Sequence, residues 1–391
     1  MKKSLLLALQ LFAIHFLFAQ INPDRIDIVR DQWGVPHIFA PTDAEVAYGL
    51  AWATAEDDFK TMQQQLLPIR GLAGQVFGVK GAVADVAVHL VEAHQIVEAR
   101  YATDISPAFK KYLEAYAAGA NAYAAKYPEE VLHKKLFPVR AKDVVKAFVL
   151  GVSLMAHVPR DLQQLLNNKV KAIQLPPATG SNAFAISRRK TTDDKTYLAI
   201  NAHQPLEGVN SWYEAHLCSE EGLNILGACF AGSPVITVGA NEQLGWAHTL
   251  NYADFADIFQ LEMHPTDKRK YRFDNQWLTL EKYHTKARIK IMGFLKVGKK
   301  QRFYKSKYGV TFETDNGFFA LRFPANHNIQ SPEQWHRMSK ANDWKSFRAA
   351  IDMQALPSMN LVYADRDDHI HTGQGLHVDG GPKAFPVVGL A

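Results

Sequence analysis

The spacing of apolar residues divides the chain into a helical first part and a β-rich second part. In the first part apolar positions recur with the helical period, and Thr42 or Asp43 is placed to cap a long alanine-rich helix that ends near Leu67. From Ser181 to about residue 322, short runs that alternate between apolar and polar residues predict strands. Further helices are predicted at 107–125, 142–157, 331–340 and 343–353, and a further strand at 361–364. This order of elements favours an α+β fold.

Two segments flank the helical part. The stretch RIDIVRDQWGVPHIFA, residues 25–40, alternates and is interrupted at Trp33 and Gly34, which predicts a β-hairpin ahead of the first helix. Residues 160–174 are compatible with a further helix or with a loose spacer, and the pattern leaves both open.

The first twenty residues, MKKSLLLALQLFAIHFLFAQ, have the pattern of a secretory signal peptide. Lys2 and Lys3 precede a mostly apolar run, and the small residue Ala19 precedes the expected cleavage site. Gln10 and His15 interrupt the run, which disfavours a retained membrane anchor, and no cysteine follows to carry a lipid. We therefore expect an exported protein, periplasmic or extracellular, that does not associate with a membrane once the signal is removed.

Composition and charge exclude several classes of protein. The 391 residues are 47% hydrophobic and 21% charged, which is enough for a sizeable core in one large or two ordinary domains. The net charge of +5 falls by two, to +3, when Lys2 and Lys3 leave with the signal peptide. Such a small charge does not indicate a nucleic-acid partner. The densest basic stretch, residues 296–307, lies among strand-like runs, and we interpret it as the solvated face of a hairpin.

The two cysteines, Cys218 and Cys229, fall on neighbouring strand-like runs. Export permits a disulfide between them. A turn near Glu220 and Glu221 would, however, put Cys218 opposite a residue near position 224 rather than opposite Cys229. Two independent thiols are therefore the favoured interpretation.

The stretch LPPATGSNAFAISRR, residues 175–189, carries the main candidate chemistry. A loop with proline and glycine runs directly into a strand whose first residue is Ser181, which marks either an ordinary turn or a point where the chain is cut. A cut before Ser181 would give its hydroxyl a neighbouring α-amine, which titrates near pH 8 and can act as the base that a serine nucleophile needs. Catalysis would also require oxyanion donors from a backbone N–H and an amide side chain.

Several blocks of sequence occur in an order and at spacings that resemble the penicillin acylase family of N-terminal nucleophile hydrolases. They are DQWGVPHIFAPTDAEVAYGLAWATAEDD followed by RGLAGQVFG, then GSNAFAIS, NAHQP, AGSPVITVGANEQLGWAHTLNYADFADIF and MNLVYADRDDHI. The resemblance covers most of the chain after the signal peptide and is closer to the acyl-homoserine lactone and cephalosporin acylase branches. It implies a four-layer αββα sandwich with a helical first chain, and hydrolysis of an amide through an acyl-enzyme.

The resemblance implies a role for each matching residue at the junction. Ser181 matches the nucleophile, and Gly180 would be the last residue of a spacer that ends at the cut. His203, in NAHQP, matches a histidine of the acyl-homoserine lactone and cephalosporin acylase branches, where the penicillin G branch has glutamine. This histidine would orient the α-amine and the nucleophile.

Three further residues fall at family positions around the bound acyl group, and two of them match the family. Leu250 matches the residue whose backbone N–H points into the oxyanion hole, and Asn360 matches the residue whose side-chain amide supplies the second donor. Gln204 falls where the family often has an aromatic wall of the acyl pocket. This departure leaves the preferred acyl group open.

The resemblance also implies a calcium site and no organic cofactor. Asp254 and Asp257 match two calcium ligands of the penicillin G branch, the carbonyl of Ala256 lies between them, and Asp161 is a candidate ligand from the first chain. Oxygen ligands from a short bend suit a hard cation such as Ca²⁺. The alternative is a solvated acidic turn, because the branches that carry the histidine do not all keep this site.

The resemblance divides the chain into four segments: signal peptide 1–19, helical first (alpha) chain 20–159, spacer 160–180 and nucleophile core (beta chain) 181–391. The protein would be an exported zymogen that cuts itself before Ser181, so both chains come from one precursor. Its substrate would be a small acyl amide. Three substrate classes remain possible: N-acyl-homoserine lactones, penicillins or cephalosporins with an acylated side chain, and lipopeptides. Antibiotic biosynthesis is one setting for such an activity.

The second chain of this family usually continues well beyond the length seen after Ser181. We therefore expect an incomplete sandwich, from a truncated, frameshifted or shortened member, and a weak or inactive amidase. The alternative function is an inactive remnant or a non-catalytic binding protein of the same family.

Overall fold

A computed structural model of the protein describes residues 21–155, 180–251, 256–291, 295–323, 328–356 and 359–374. The predicted signal peptide, residues 1–19, and the predicted spacer up to residue 179 lie outside these ranges. None of the helices within them combines the length and the apolar character that crossing a membrane requires.

The helices lie mainly in the first part of the chain, as the apolar spacing predicts. Thr42 caps the first helix through a reciprocal pair of bonds: its hydroxyl accepts from the N–H of Glu45, and the Glu45 carboxylate accepts from the N–H of Thr42, both at 3.1 Å. Within the described ranges the α-helices are α1 (Asp43–Leu66), α2 (Ala73–Leu90), α3 (Ala93–Asp104), α4 (Pro107–Lys126), α5 (Ala141–Met155), α6 (Ser331–Ser339) and α7 (Trp344–Ile351).

Helices α2 and α3 have no counterpart among the predictions from sequence. Gly78 has a φ of 65°, which kinks α2 and interrupts its apolar spacing. The carboxylate of Asp85 accepts from the N–H groups of Ala73 and Gly74, both at 2.9 Å, and so caps the start of α2 from within the same helix. A cap that comes from so far downstream gives no local signal at the helix N-terminus.

The strands lie mainly in the second part of the chain. Those in the described ranges are β1 (Asp27–Arg30), β2 (Pro36–Ala40), β3 (Ser181–Ile186), β4 (Tyr197–Ala202), β5 (Trp212–Ser219), β6 (Asn224–Phe230), β7 (Val238–Ala240), β8 (Leu244–Leu250), β9 (Asp257–Gln260), β10 (Lys270–Phe273), β11 (Gln276–Thr279), β12 (Glu281–Ile291), β13 (Leu295–Ser306), β14 (Gly309–Thr314), β15 (Gly317–Arg322), β16 (Met359–Asp365) and β17 (Ile370–Gln374).

The main sheet has eight strands in the order β1-β2-β5-β6-β7-β8-β16-β17. All neighbours are antiparallel except β2 and β5, which are parallel. The hairpin predicted around Trp33 and Gly34 is confirmed as β1 and β2, and Gly34 takes the φ of 83° that its turn requires. The sheet therefore joins the two ends of the described chain, because β1 and β16 belong to it.

Three smaller sheets accompany the main one. β3 and β4 form a two-stranded antiparallel sheet, which we call the nucleophile hairpin after the role predicted for its first residue, Ser181. β12, β13, β14, β15 and β9 form a five-stranded sheet that packs against α2, and β10 pairs with β11. Residues 296–306 of the basic stretch fall on β13, which pairs with β12, so the predicted hairpin is confirmed.

The two faces of the main sheet meet different partners. On β8, the ring of Trp246 lies 5.7 Å from that of Phe347 in α7, on the helical side. The preceding residue, Gly245, faces the nucleophile hairpin, where a Cβ on it would lie 3.0 Å from Leu198. The described residues thus form a helical layer, the main sheet and part of a second sheet, which confirms a mixed α/β fold. The fourth layer of the expected sandwich is not among the described residues and stays a prediction.

The register of β5 and β6 confirms the interpretation of the cysteines. Cys218 pairs with Asn224, as the position of the turn predicts, whereas Cys229 pairs with Tyr213. Both thiols are free. Burial raises the pKa of the Cys229 thiol to about 12, so it stays protonated at neutral pH.

Asp43 joins three separate parts of the molecule at the start of α1. Its carboxylate accepts from the hydroxyl of Ser219 at 2.6 Å and from Lys340 Nζ at 2.5 Å, and it lies 3.4 Å from Nε2 of His336. Burial raises the pKa of Asp43, but the hydrogen bonds from His336, Lys340 and Ser219 outweigh it and hold the pKa well below 3.8. The end of β5 and the end of α6 are thereby attached to α1.

We expect Asp43→Asn to lower the free energy of unfolding by about 2–4 kcal/mol at neutral pH, because it leaves the ammonium group of Lys340 without its largely buried counter-charge. Since the folded pKa lies below 3.8, the contribution of the carboxylate is present above about pH 4 and is lost as the pH falls further. Urea unfolding measures both effects. The exposed Asp24→Asn is the control, and an equal loss in both variants at neutral pH would contradict the expectation.

Candidate active site

The nucleophile hairpin carries Ser181 at its first paired position. β3 and β4 run antiparallel with Ser181 opposite Ala202, and the N–H of His203 extends this ladder by donating to the carbonyl of Gly180 at 3.3 Å. Gly180 is still joined to Ser181 in this chain, so the bond expected to break lies at the mouth of the hairpin. The carbonyl group of that bond therefore already accepts a hydrogen bond from the backbone of His203.

Ser181 lies on the face of the hairpin that is turned toward the main sheet. Side chains alternate along a strand, so residues of one parity share a face. Ser181 and Ala183 lie on the same face of the hairpin as Leu198, which is the residue that approaches Gly245 of β8. Asn182 and Phe184 lie on the opposite face and are exposed. The hydroxyl of Ser181, half-buried, is therefore directed into the space between the two sheets.

Asn360 faces the same space from the main sheet. In the β8–β16 register Asn360 pairs with Thr249, and both lie on the face that carries Gly245. The side-chain Nδ2 of Asn360 donates to Thr249 Oγ1 at 3.0 Å and to the carbonyl of Leu250 at 3.1 Å. Alternation thus puts Ser181 and Asn360 on the facing surfaces of two stacked sheets.

The amide of Asn360 is engaged but not fully satisfied. Both of its hydrogens have acceptors on β8, whereas its Oδ1 is buried and has no hydrogen-bond partner among the described residues. A role as an oxyanion donor requires the side chain to turn away from Thr249 and Leu250. The unpartnered oxygen reduces the cost of this rotation, because the starting arrangement lacks one of its hydrogen bonds.

His203 and Gln204 lie at the open end of the hairpin. The Nε2 of His203 is 3.3 Å from Nδ2 of Asn182 and 3.4 Å from Nδ2 of Asn201, two asparagines on the face opposite to that of Ser181. The imidazole therefore contacts the outer face of the hairpin in the uncut chain. Gln204 follows it in a loop and is half-buried.

The structure describes only part of the expected calcium site. Ala256 and Asp257 are described, and Asp257 is an exposed residue opposite Arg322 at the start of β9, whereas Asp161 and Asp254 lie outside the described residues. Within the described part of the chain no three His, Cys, Asp or Glu side chains converge as metal ligands. The calcium site therefore stays a prediction, with two of its four candidate ligands outside the described ranges.

His248 supports Asn360 from the helical side of the sheet, a contact that sequence reasoning missed. Its Nδ1 lies 3.1 Å from the carbonyl oxygen of Asn360, and its Nε2 accepts from the indole N–H of Trp335 at 3.1 Å. Because Nε2 is an acceptor, Nδ1 carries the proton and donates to Asn360. Burial lowers the pKa of His248 to about 4, against which the bond to Asn360 acts, so the ring is neutral at neutral pH.

An open cleft of about 850 Å³ separates the hairpin from the neighbouring strands of the main sheet. Leu198 and Ile200 of the hairpin line one side, and Leu226, Gly239 and Trp246 contribute to the other. The cleft lies beside β4, near the end of the hairpin that is far from Ser181. The space between the two sheets is therefore partly open within the described residues.

Comparison with known proteins adds to this geometry. The penicillin amidase family model matches residues 25–380. The acyl-homoserine lactone acylase PvdQ of Pseudomonas fluorescens (strain Pf0-1) is 26% identical over 379 residues, which cover 87% of this chain and 48% of that protein. The aculeacin-A acylase of Actinoplanes utahensis is 23% identical over 383 residues, with coverage of 87% and 48%. The chain thus spans about half the length of the curated relatives it matches.

Among solved structures, the thermostable penicillin G acylase from Alcaligenes faecalis in its orthorhombic form aligns with a TM-score of 0.42. The alignment has 23% identity and covers 50% of this chain and 35% of that one.

The histidine behind Asn360 generates a prediction about acid stability. The folded pKa of His248, about 4, lies below the ordinary 6.5, so the unfolded chain takes up a proton more readily in this range. We expect the free energy of unfolding to fall as the pH decreases from about 6.5 to about 4, with up to about 3 kcal/mol from this residue.

Urea unfolding across that pH range, on wild type and two variants, tests the assignment. His248→Gln keeps one donor and one acceptor but does not titrate, and His248→Phe removes both hydrogen bonds. Both should flatten the pH dependence, and the Phe variant alone should lose a further 1–3 kcal/mol or so at neutral pH. An unchanged slope in the Gln variant would show that other groups cause the acid sensitivity.

Proposed function

The chain belongs to the penicillin amidase family, and from that premise we propose that it is the exported precursor of an amide hydrolase that uses Ser181 as its nucleophile. The observation that carries the proposal is the facing arrangement of Ser181 and Asn360 on two stacked sheets. A nucleophile and an amide donor on opposite walls can act on one carbonyl group held between them.

Maturation would begin at the carbonyl of Gly180. The hydroxyl of Ser181 attacks the carbonyl carbon of Gly180, the peptide nitrogen leaves as the new α-amine, and water hydrolyses the ester that forms. The N–H of His203 supports this step, because it already donates to the carbonyl oxygen of Gly180 and would follow it as the oxygen gains negative charge. The products are a first chain with its spacer and a second chain that starts at Ser181.

The mature site would then hydrolyse an acyl amide through an acyl-enzyme. The free α-amine of Ser181 takes the hydroxyl proton as Oγ attacks the substrate carbonyl, and it returns the proton to the leaving amine. The N–H of Leu250 and the turned side chain of Asn360 stabilise the oxyanion. Water then releases the acid by the same route. His203, freed at the cut end of the hairpin, orients the amine, and Gln204 lies beside the acyl group.

We propose an N-acyl-homoserine lactone as the first substrate class to test, with lipopeptides and penicillin or cephalosporin side chains as the alternatives. Two relatives support this order: one is named an acyl-homoserine lactone acylase and the other an aculeacin-A acylase. The chemistry requires no organic cofactor and no nucleic-acid partner. Calcium at Asp161, Asp254, Ala256 and Asp257 would have a structural role, and the signal peptide would export the precursor to the periplasm or beyond.

Self-cleavage is the most direct test of the proposal. We expect the purified protein to consist of two chains, the second beginning at Ser181. The proposed mechanism requires a free α-amine on Ser181, which only a cut before this residue provides. Ser181→Ala should remain one chain, whereas Ser181→Cys keeps a nucleophile of similar size and should still be cut. Intact mass and N-terminal sequencing measure this. A second chain that begins at another residue, or cleavage of the Ala variant, would overturn the assignment of Ser181.

Asn360→Leu tests the oxyanion donor. The variant keeps the size of the side chain and removes its N–H groups, so we expect kcat to fall on the order of 100- to 1000-fold with little change in KM. Release of homoserine lactone from a long-chain N-acyl-homoserine lactone, followed by mass spectrometry, gives both constants. Asn316→Leu, in the exposed turn between β14 and β15, is the control. A change in KM alone would assign Asn360 to substrate binding.

A further inference from the structure

The nucleophile hairpin needs a fixed position relative to the main sheet. Within the described residues β3 and β4 pair only with each other, so no backbone ladder joins them to β8 or β16. The facing contact at Gly245 of the sheet is apolar: a Cβ on this glycine would lie 3.0 Å from the side chain of Leu198 on the hairpin. Apolar contact resists separation of the sheets but resists sliding much less, because it is not directional.

Asp368 supplies polar contacts that cross from one sheet to the other. It lies in the turn between β16 and β17, and its carboxylate accepts from Ser187 Oγ at 2.6 Å, from the N–H of Arg188 at 2.9 Å and from Thr196 Oγ1 at 2.8 Å. Ser187 and Arg188 directly follow β3, and Thr196 directly precedes β4. We call these four residues the Asp368 cluster.

Asp368 is held firmly enough to serve as an anchor. Its side chain is only 6% exposed, and hydrogen bonds, first of all from Ser187, lower the pKa of Asp368 to about 2. The turn that carries it is fixed by Asp365, whose Oδ1 accepts from the N–H groups of Asp367 and His369 at 3.0 and 2.9 Å. The carboxylate is thus charged at neutral pH and sits in a hydrogen-bonded turn at the end of β16.

The position of the cluster relates the two candidate reacting groups. From Ser187 the six residues of β3 lead back to Ser181, and from the turn of Asp368 the seven residues of β16 lead back through Asn360 to Met359. β3 therefore starts at one candidate reacting group and β16 starts one residue before the other, and both strands end near the cluster. Fixing their far ends to one carboxylate fixes how far β3 can slide along β16.

We propose that Asp368 is a positioning residue that sets the placement of the Ser181 hairpin on the sheet that carries Asn360. This rests on the proposed function, in which Ser181 attacks a carbonyl that Asn360 stabilises. A misplacement of about 1 Å between reacting groups lowers a rate by up to about a hundredfold. Asp368 touches no substrate, so its effect falls on the geometry of the reaction and not on binding.

The backbone of Asp368 supports a role for its side chain. Its φ of 69° is a left-handed conformation that glycine adopts freely and that aspartate tolerates at a cost. A turn alone would be more stable with glycine at this position. The aspartate is therefore explained by the three hydrogen bonds that its carboxylate accepts.

The same backbone provides a sharp test with Asp368→Gly. Glycine relieves the turn and removes only the carboxylate, so we expect the melting temperature to stay within a few degrees while kcat falls about 10- to 100-fold and KM changes less than about twofold. Asp368→Asn keeps one acceptor oxygen, so its kcat should lie between those of the parent and of Asp368→Gly. Asp274→Gly, at a left-handed aspartate in the turn between β10 and β11, is the matched control and should keep the parental kcat.

Hydrogen exchange separates this proposal from the proposed function. In Asp368→Gly the amides of β3 and β4 should exchange faster than in the parent, while those of β8 and β16 should not. Faster exchange together with lowered kcat supports the proposal. Faster exchange in a protein whose activity does not depend on Ser181 would leave the anchoring role intact and refute the proposed function. Unchanged exchange, or an unchanged kcat in an enzyme that requires Ser181, would overturn the positioning role.

Discussion

Alternation of side chains on two facing sheets is the constraint on which the candidate site depends. Ser181 points toward the main sheet because it shares a face of the nucleophile hairpin with Leu198, and Asn360 points back because it shares a face of the main sheet with Gly245. A shift of one residue in either ladder would turn one of these groups away from the other. The site therefore exists only while both ladders keep their register.

The β8–β16 pair divides its two faces between stability and chemistry. The helical side is buried against Trp335 and Phe347, and His248 there donates to the backbone carbonyl of Asn360. The other side presents the amide of Asn360 to the hairpin. Because a buried polar network holds the backbone from behind, the side chain can turn without moving the strand that carries it.

Local signals in the sequence predict much of the fold but little of what supports the site. The capped start of α1 at Thr42 and the pairing of Cys218 with Asn224 follow from local rules, and the family motifs point to Ser181 and Asn360. The bond between His248 and Trp335 and the contacts of Asp368 with the hairpin join residues that are far apart in the chain. Such contacts depend on the packing of finished elements, which short-range patterns do not encode.

The backbone on the two sides of the expected cut is held very differently, and this difference would give the proposed maturation a direction. Ser181 belongs to a ladder of six pairs with β4, whereas the carbonyl of Gly180 is held by a single backbone bond from His203. After a cut, the new amine would stay in the sheet, whereas within the described ranges the new carboxylate would keep a single backbone bond, that from His203. Once it departs, its effective concentration at the amine collapses. Rejoining of the two chains would then be slow, and the proposed cut would run one way without any external energy source.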